Sequence, residues 1–166
     1  MIILGIDPGY DRLGIAVIEK PARGKELVLY SDCFQTSATD TIYERFRQLG
    51  SEMSRVLEQF KPDVMALETL FMSKNQKTGM RVSEARGIII HEAVKRDVPV
   101  HEYSPGQIKM AVTGDGTSDK TRMIRMVHML VSLPEKKTRD DEYDAIAVAL
   151  TCSAHQKNST IQALKD

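Results

Sequence analysis

The sequence predicts an α/β fold with a five-stranded mixed sheet flanked by helices. Three observations lead there: an unbroken apolar run of strand length opens the chain, two more strand-like runs follow through short turns, and strands then alternate with amphipathic helical patterns.

The first run, Ile2-Ile3-Leu4-Gly5-Ile6-Asp7, stops at Pro8-Gly9 and reads as a central strand ending in a turn. Apolar runs over 13–18 and 27–34, the latter after a Pro21-Ala22-Arg23-Gly24 loop, complete an antiparallel meander. Ile42, Phe46, Leu49, Met53, Val56 and Phe60 recur at steps of four and three, the stripe of one long helix ended by Lys61-Pro62. A fourth strand is expected over 64–68, a second helix over 83–96 and a fifth strand over 98–103. Helices then fit 107–113, 118–133 and 140–153. A meander followed by strands that return through helices implies a mixed sheet covered on both faces.

Two helices carry more information than their existence. The second has Val82, Ala85, Ile88, Ile89, Ile90, Ala93 and Val94, more apolar positions than one sheet-facing stripe requires, so it is either buried within its own domain or meets another subunit. In the fourth, Met123, Met126, Val127 and Leu130 form a stripe expected to pack in the core. The expected organisation is one domain over 1–155 followed by a polar tail, 156–166.

With 166 residues, 42% of them hydrophobic, the chain can bury a sizeable core without a metal or disulfide staple. Its 23 Lys and Arg against 23 Asp and Glu exclude a charged disordered tail and argue against coating nucleic acid through bulk positive charge, while leaving room for a local basic patch. Cys33 and Cys152 are too few and too far apart for a disulfide framework or a zinc site. No basic lead precedes an apolar signal core, and no apolar run approaches the ~20 residues that span a bilayer, so the expected setting is reducing and cytoplasmic, away from membranes.

Acids stand where burial would otherwise disfavour them. Asp7 ends the first strand, Glu68 ends the fourth, and Asp141 and Asp144 open an apolar helix. Singly, each has an ordinary explanation in a turn, a salt bridge or a helix N-terminus. Adjacent central strands with a helix laid across their ends would bring all four together. Two carboxylates about 4 Å apart repel by roughly 4 kcal/mol at an effective dielectric of about 20, equivalent to about three pKa units. Such a cluster calls for protons or divalent cations, and an all-oxygen set suits Mg²⁺ or Mn²⁺, with two ions per site serving in-line displacement at phosphorus. Spacing leaves Asp140 open as a substitute for Asp141, because it lies four residues before Asp144.

Six blocks in order resemble the RuvC family of crossover junction endodeoxyribonucleases: Gly5-Ile6-Asp7-Pro8-Gly9, Ala66-Leu67-Glu68, Phe71-Met72-Ser73-Lys74-Asn75, Ala85-Arg86-Gly87, Tyr103-Ser104-Pro105 and Asp141-Glu142-Tyr143-Asp144-Ala145-Ile146-Ala147. The resemblance implies a ribonuclease H-like fold, a homodimer, and paired symmetrical hydrolysis at a four-way DNA junction in recombination and repair, leaving 5'-phosphate and 3'-hydroxyl ends. It assigns metal binding and catalysis to Asp7, Glu68, Asp141 and Asp144, and its Asp-x-x-Asp-Ala-Ile-Ala frame favours Asp141 over Asp140. It also implies work alongside RuvA and RuvB.

DNA contacts are expected to be local. Lys74, Lys77, Arg81 and Arg86 face the single acid Glu84 between 71 and 86, a patch able to hold phosphates, with Asn75 beside it. By resemblance, Phe71 stacks on or wedges between bases, Lys109 and Lys120 contact DNA near the cut phosphate, and Lys120 stabilises developing negative charge. The stretch 114–121 has Asp119 directly before Lys120, which fails the P-loop pattern and reads instead as a flexible DNA-gripping loop. The alternatives are another ribonuclease H-like nuclease acting on structured RNA, and a non-catalytic junction binder, which has no need of four convergent acids. With those four set aside, 19 acids stand against 23 bases, so the neutral total conceals an anion-binding face.

Overall fold

The computed structural model describes residues 1–70, 76–133 and 138–162, with backbone only at 76–77 and 157–162. Its elements are β1 (Ile2–Asp7), β2 (Arg12–Glu19), β3 (Glu26–Gln35), α1 (Ile42–Phe60), β4 (Val64–Glu68), α2 (Gln76–Val94), β5 (Val100–Tyr103), α3 (Pro105–Thr113), α4 (Lys120–Leu130), β6 (Val131–Ser132) and α5 (Asp140–Gln162). The sheet order is β5-β4-β1-β2-β3-β6. The meander is antiparallel, whereas β1–β4, β4–β5 and β3–β6 pair in parallel.

Strand parity decides what covers each face, because successive side chains point to opposite sides. Ile3, Ala16, Ile18, Val64 and Ala66 pack with α3, α4 and α5, while Leu4, Ile6, Leu13, Ile15, Val17, Met65 and Leu67 pack with α1 and α2. The register Gly5↔Ala66 and Ile6↔Leu67 continues to Asp7 and Glu68 at the carboxyl ends of neighbouring parallel strands. By the same parity both acids belong to the α5 side.

Helix ends follow local chemistry. Thr41 caps α1, which closes on Lys61 in a left-handed conformation just before Pro62. Ser104 and Gln107 form a reciprocal capping box with Pro105 in the first turn of α3, so that helix starts two residues earlier than the apolar pattern suggested. Asp119 caps α4.

Four expectations need correction. The sheet has six strands rather than five: the run expected to be helical over 118–133 ends at Leu130, and Val131–Ser132 extends alongside Glu26 and Leu27. Val131 satisfies that helix's end while its side chain stays buried, so the apolar stripe continues unbroken across the boundary. The last helix continues beyond Ser153 to Gln162, and α2 begins at Gln76, well before Ser83. The 114–119 stretch is a hydrogen-bonded turn rather than a loose loop. Asp115 Oδ1 accepts from Thr117 N and Oγ1 at 2.9 and 2.7 Å, and the Thr113 and Ser118 hydroxyls meet at 2.7 Å. Met123 and Val127 are buried as expected, with Met126 and Leu130 packed against them.

Candidate active site

Burial and packing bring the acid-bearing ends of β1, β4 and α5 together at one end of the sheet. The first turn of α5 passes so near β2 that a Cβ on Gly14 would lie 2.2 Å from the Asp141 carbonyl oxygen and 3.1 Å from Asp7 Cβ. Only a glycine at that point lets the helix start beside Asp7. Glu142, buried between the two helix-borne acids, accepts from Ser31 Oγ at 2.6 Å and from the Arg139 backbone N–H at 3.0 Å. It therefore ties the start of α5 to β3 and fixes the direction in which Asp141 and Asp144 leave the helix.

Electrostatics mark the four carboxyls as one group. Burial, then Glu68, Asp144 and Asp141, push Asp7 from 3.8 up to about 7, against an opposing pull from Lys120. Burial and Asp144 also raise Glu68, opposed by Lys120 and Lys109. Asp141, half-buried, is among the charges acting on Asp7, whereas Asp140 is exposed and acts on Lys120.

Cations border these acids. Lys120 Nζ donates to Asp144 Oδ2 at 2.5 Å; burial opposes its charge, but Asp144, Asp140 and Asp7 outweigh that and raise its pKa. A cavity of about 200 Å³ is lined by Glu68, Asp144, Lys109 and Lys120 over an apolar floor of Pro105, Ile108, Met123 and Ala147. A second, of about 260 Å³, is lined by Asp7, Pro8, Thr69 and Leu70, and it shares Glu68 and Pro105 with the first. Together they make a groove running along the acids with lysines on one flank.

The donor set fits a hard divalent cation, being all oxygen with Asp7 held in need of compensating positive charge. Among the described residues, no three His, Cys, Asp or Glu side chains close into a ready coordination shell.

The expected DNA contacts divide. Lys109 and Lys120 border the acids. Phe71, Lys74 and Asn75 lie outside the described residues, as does the side chain of Lys77. Arg81 pairs with Glu84 at 2.8 Å and Arg86 with Glu102 at 2.7 Å. Glu102 comes from β5, which counting charges along one segment could not reveal, so the patch is less positive than its sequence suggests. Sequence reasoning also missed Glu142, Cys33, whose thiol donates to Asp141 Oδ2 at 3.4 Å, and Arg12, 3.8 Å from Asp141 Oδ1. Only Glu142 had a local signal, three residues after Arg139 at a helix start.

The sequence profile of the family described as crossover junction endodeoxyribonuclease RuvC matches residues 3–152. The chain belongs to the RuvC family. Family members of the same description include one from Petrotoga mobilis, 40% identical over 149 residues that cover 90% of this chain and 91% of the relative. Another, from Photobacterium profundum, is 43% identical over 160 residues, covering 96% and 90%. Among solved structures, Thermus thermophilus RuvC superposes with a TM-score of 0.88 at 30% identity, covering 96% of this chain and 98% of that one. The same Thermus protein in complex with a Holliday junction substrate gives 0.90 at 30% identity, covering 96% and 97%. The ribonuclease H-like architecture expected from the RuvC resemblance is thus the fold observed. No helix among the described residues is long and apolar enough to cross a membrane.

Proposed function

We propose that this protein is a structure-specific endonuclease that resolves four-way Holliday junctions by paired, symmetrical, metal-dependent hydrolysis of phosphodiester bonds, in recombination and repair. The observation that carries this reading is the clustering of Asp7, Glu68, Asp141 and Asp144 at one end of the sheet, beside a groove that Asp7, Glu68 and Asp144 line and Lys109 and Lys120 flank. A binding module gains nothing from burying Asp7 among like charges.

In this reading the four acids hold Mg²⁺ or Mn²⁺, most simply two ions. Bound there, the metal supplies an activated water and charge neutralisation at phosphorus. The chain's own part is positional. β1 and β4 set Asp7 and Glu68 side by side, α5 presents Asp141 and Asp144 from above, and Pro105, Ile108 and Met123 give the groove an apolar floor. Lys120 holds positive charge beside the phosphoryl oxygens, and Lys109 keeps the strand in the groove. The products would carry 5'-phosphate and 3'-hydroxyl ends.

Paired cuts call for two sites. A two-fold homodimer matches the approximate symmetry of a four-way junction. The outward side of α2 supports that assembly: Met80 and Val94 are 62% and 58% exposed, and nothing lies within 4 Å of a Cβ built at Gly87. Phe71, Lys74, Asn75, Lys77 and Arg81 would contact the crossover, and RuvA and RuvB are the expected partners by resemblance, in the cytoplasm. The domain would span 1–155.

The test is Asp7→Asn. Cleavage of a synthetic junction in Mg²⁺ should vanish, as in chelator, while junction binding is retained. Cleavage that survives the substitution removes the metal site from the account.

A further inference from the structure

Each helix-borne acid carries its own counterion, and the two cations approach from opposite sides. Lys120 sits on Asp144 at the β4 side. Arg12, the first residue of β2, brings Nε to 3.8 Å from Asp141 Oδ1, and its side chain is 62% exposed against 20% for Asp141. Sheet order places Glu68, Asp7 and Arg12 on β4, β1 and β2 in succession, so the acids lie between the lysines and this arginine.

Arg12 leaves a turn that is gripped from behind. Buried Arg45 of α1 donates Nε to Thr36 Oγ1 at 2.8 Å, pairs with the Asp11 carboxylate and lies 4.8 Å over the Tyr10 ring. Thr36 Oγ1 in turn donates to the Tyr10 carbonyl at 2.7 Å, and the Thr36 N–H donates to the Asp11 carbonyl at 3.1 Å. The backbone of Arg12 is therefore fixed beside Asp141, while its guanidinium stays largely in water.

We propose that Arg12 is a DNA-backbone contact of this groove that exchanges Asp141 for a phosphate when a strand lies across the acids, thereby freeing Asp141 for the divalent ion. This rests on the junction-endonuclease reading above. An ion pair this long, with its arginine largely in water, is weak and screened, so the guanidinium moves readily to a better anion. Phosphate is that anion, because two parallel N–H donors of a guanidinium match two of its oxygens. A strand gripped by Lys109 and Lys120 on one side and crossing the acids reaches β2 next. The exchange also couples two ligands: DNA that draws Arg12 away makes Asp141 a better metal ligand, and metal bound there makes Arg12 a better phosphate ligand.

The experiment uses the full chain, Arg12→Gln and Arg12→Lys, with thermal melting to establish that all three fold. Four-way junction affinity is measured in chelator across a salt series. Arg12→Gln should weaken binding and lower the log–log salt slope by about 0.9, the loss of one phosphate contact, and Arg12→Lys should restore the slope while recovering only part of the affinity. Mn²⁺ titrated calorimetrically into the DNA-free proteins should bind Arg12→Gln several-fold more tightly than wild type. A wild-type salt slope in Arg12→Gln overturns the phosphate contact, and unchanged Mn²⁺ affinity overturns the exchange. A wild-type protein that neither binds nor cuts the junction would defeat the underlying function instead.

Discussion

A Cβ on Gly5 would lie 2.2 Å from the Ala145 carbonyl oxygen and 2.7 Å from Ala149 Cβ, so α5 rests directly on the β1 backbone. That contact sets the height of the helix above the sheet and thus the height of Asp144 above Asp7. Gly5→Ala drives a methyl into the α5 backbone, where no flexible side chain can yield. The expected result is destabilisation of about 1–3 kcal/mol in a denaturant titration, together with a loss of cleavage larger than the fraction unfolded explains. Activity that tracks only the folded fraction would show that helix height does not govern the site.

The raised Asp7 pKa makes a signed prediction for the metal-free protein. The unfolded carboxyl gives up its proton near 3.8, while the folded one keeps it to about 7, so between those values the folded state binds more protons. Asp7 therefore lowers stability as pH rises through that window, fully above about 7. About three pH units at ~1.4 kcal/mol each gives an upper contribution on the order of 4 kcal/mol. In chelator, Asp7→Asn should be more stable than wild type at pH 8, and the gap should close toward pH 4. Equal stability of the two proteins at pH 8 would contradict the burial and charge crowding that raise the group.

Lys120 and Asp144 form the tightest ion pair bordering the groove. Lys120→Met keeps the stem that packs over the groove and removes the charge. Removing one positioned charge stabiliser should slow single-turnover cleavage by about 10²–10³-fold. Junction affinity should change far less, since one phosphate contact of several is lost. A weakening of binding with an unaltered single-turnover rate would reassign Lys120 to DNA grip alone.

How much of this was legible follows from which contacts are local. The strand carrying Asp7, the strand carrying Glu68 and the helix carrying Asp141 and Asp144 each announce themselves through periodicity and an acid at the end of an apolar run. Their convergence needed the parallel pairing of β1 with β4, an adjacency of central strands that the sequence reading assumes and periodicity could not establish. Arg12, Cys33 and Ser31 were invisible because their relevance depends on where β2 and β3 pass beneath α5, more than a hundred residues along the chain. Glu102 cancels part of the basic patch for the same reason. The short β6 hid inside a helical pattern because Val131 is buried in either conformation.

The apolar residues of α2 are not all spent on the sheet, since Val82, Ile88 and Ile90 are half-buried and Val94 is exposed. Ala85, Ile89 and Ala93 are fully buried against the sheet, whereas Met80, Gly87 and Val94 recur at seven-residue steps on the outside. A seven-residue repeat with a glycine at its centre lets a second helix approach closely. Val94→Glu, alone and with Met80→Glu, places charge on that face without touching the core. Sedimentation should shift from dimer to monomer while the melting temperature stays within the range of ordinary surface substitutions. On a supercoiled plasmid bearing a cruciform, the dimer should linearise the circle by coordinated cuts, and the monomeric variant should leave it nicked. A variant that stays dimeric and linearises the plasmid would place the two-fold interface elsewhere on the molecule.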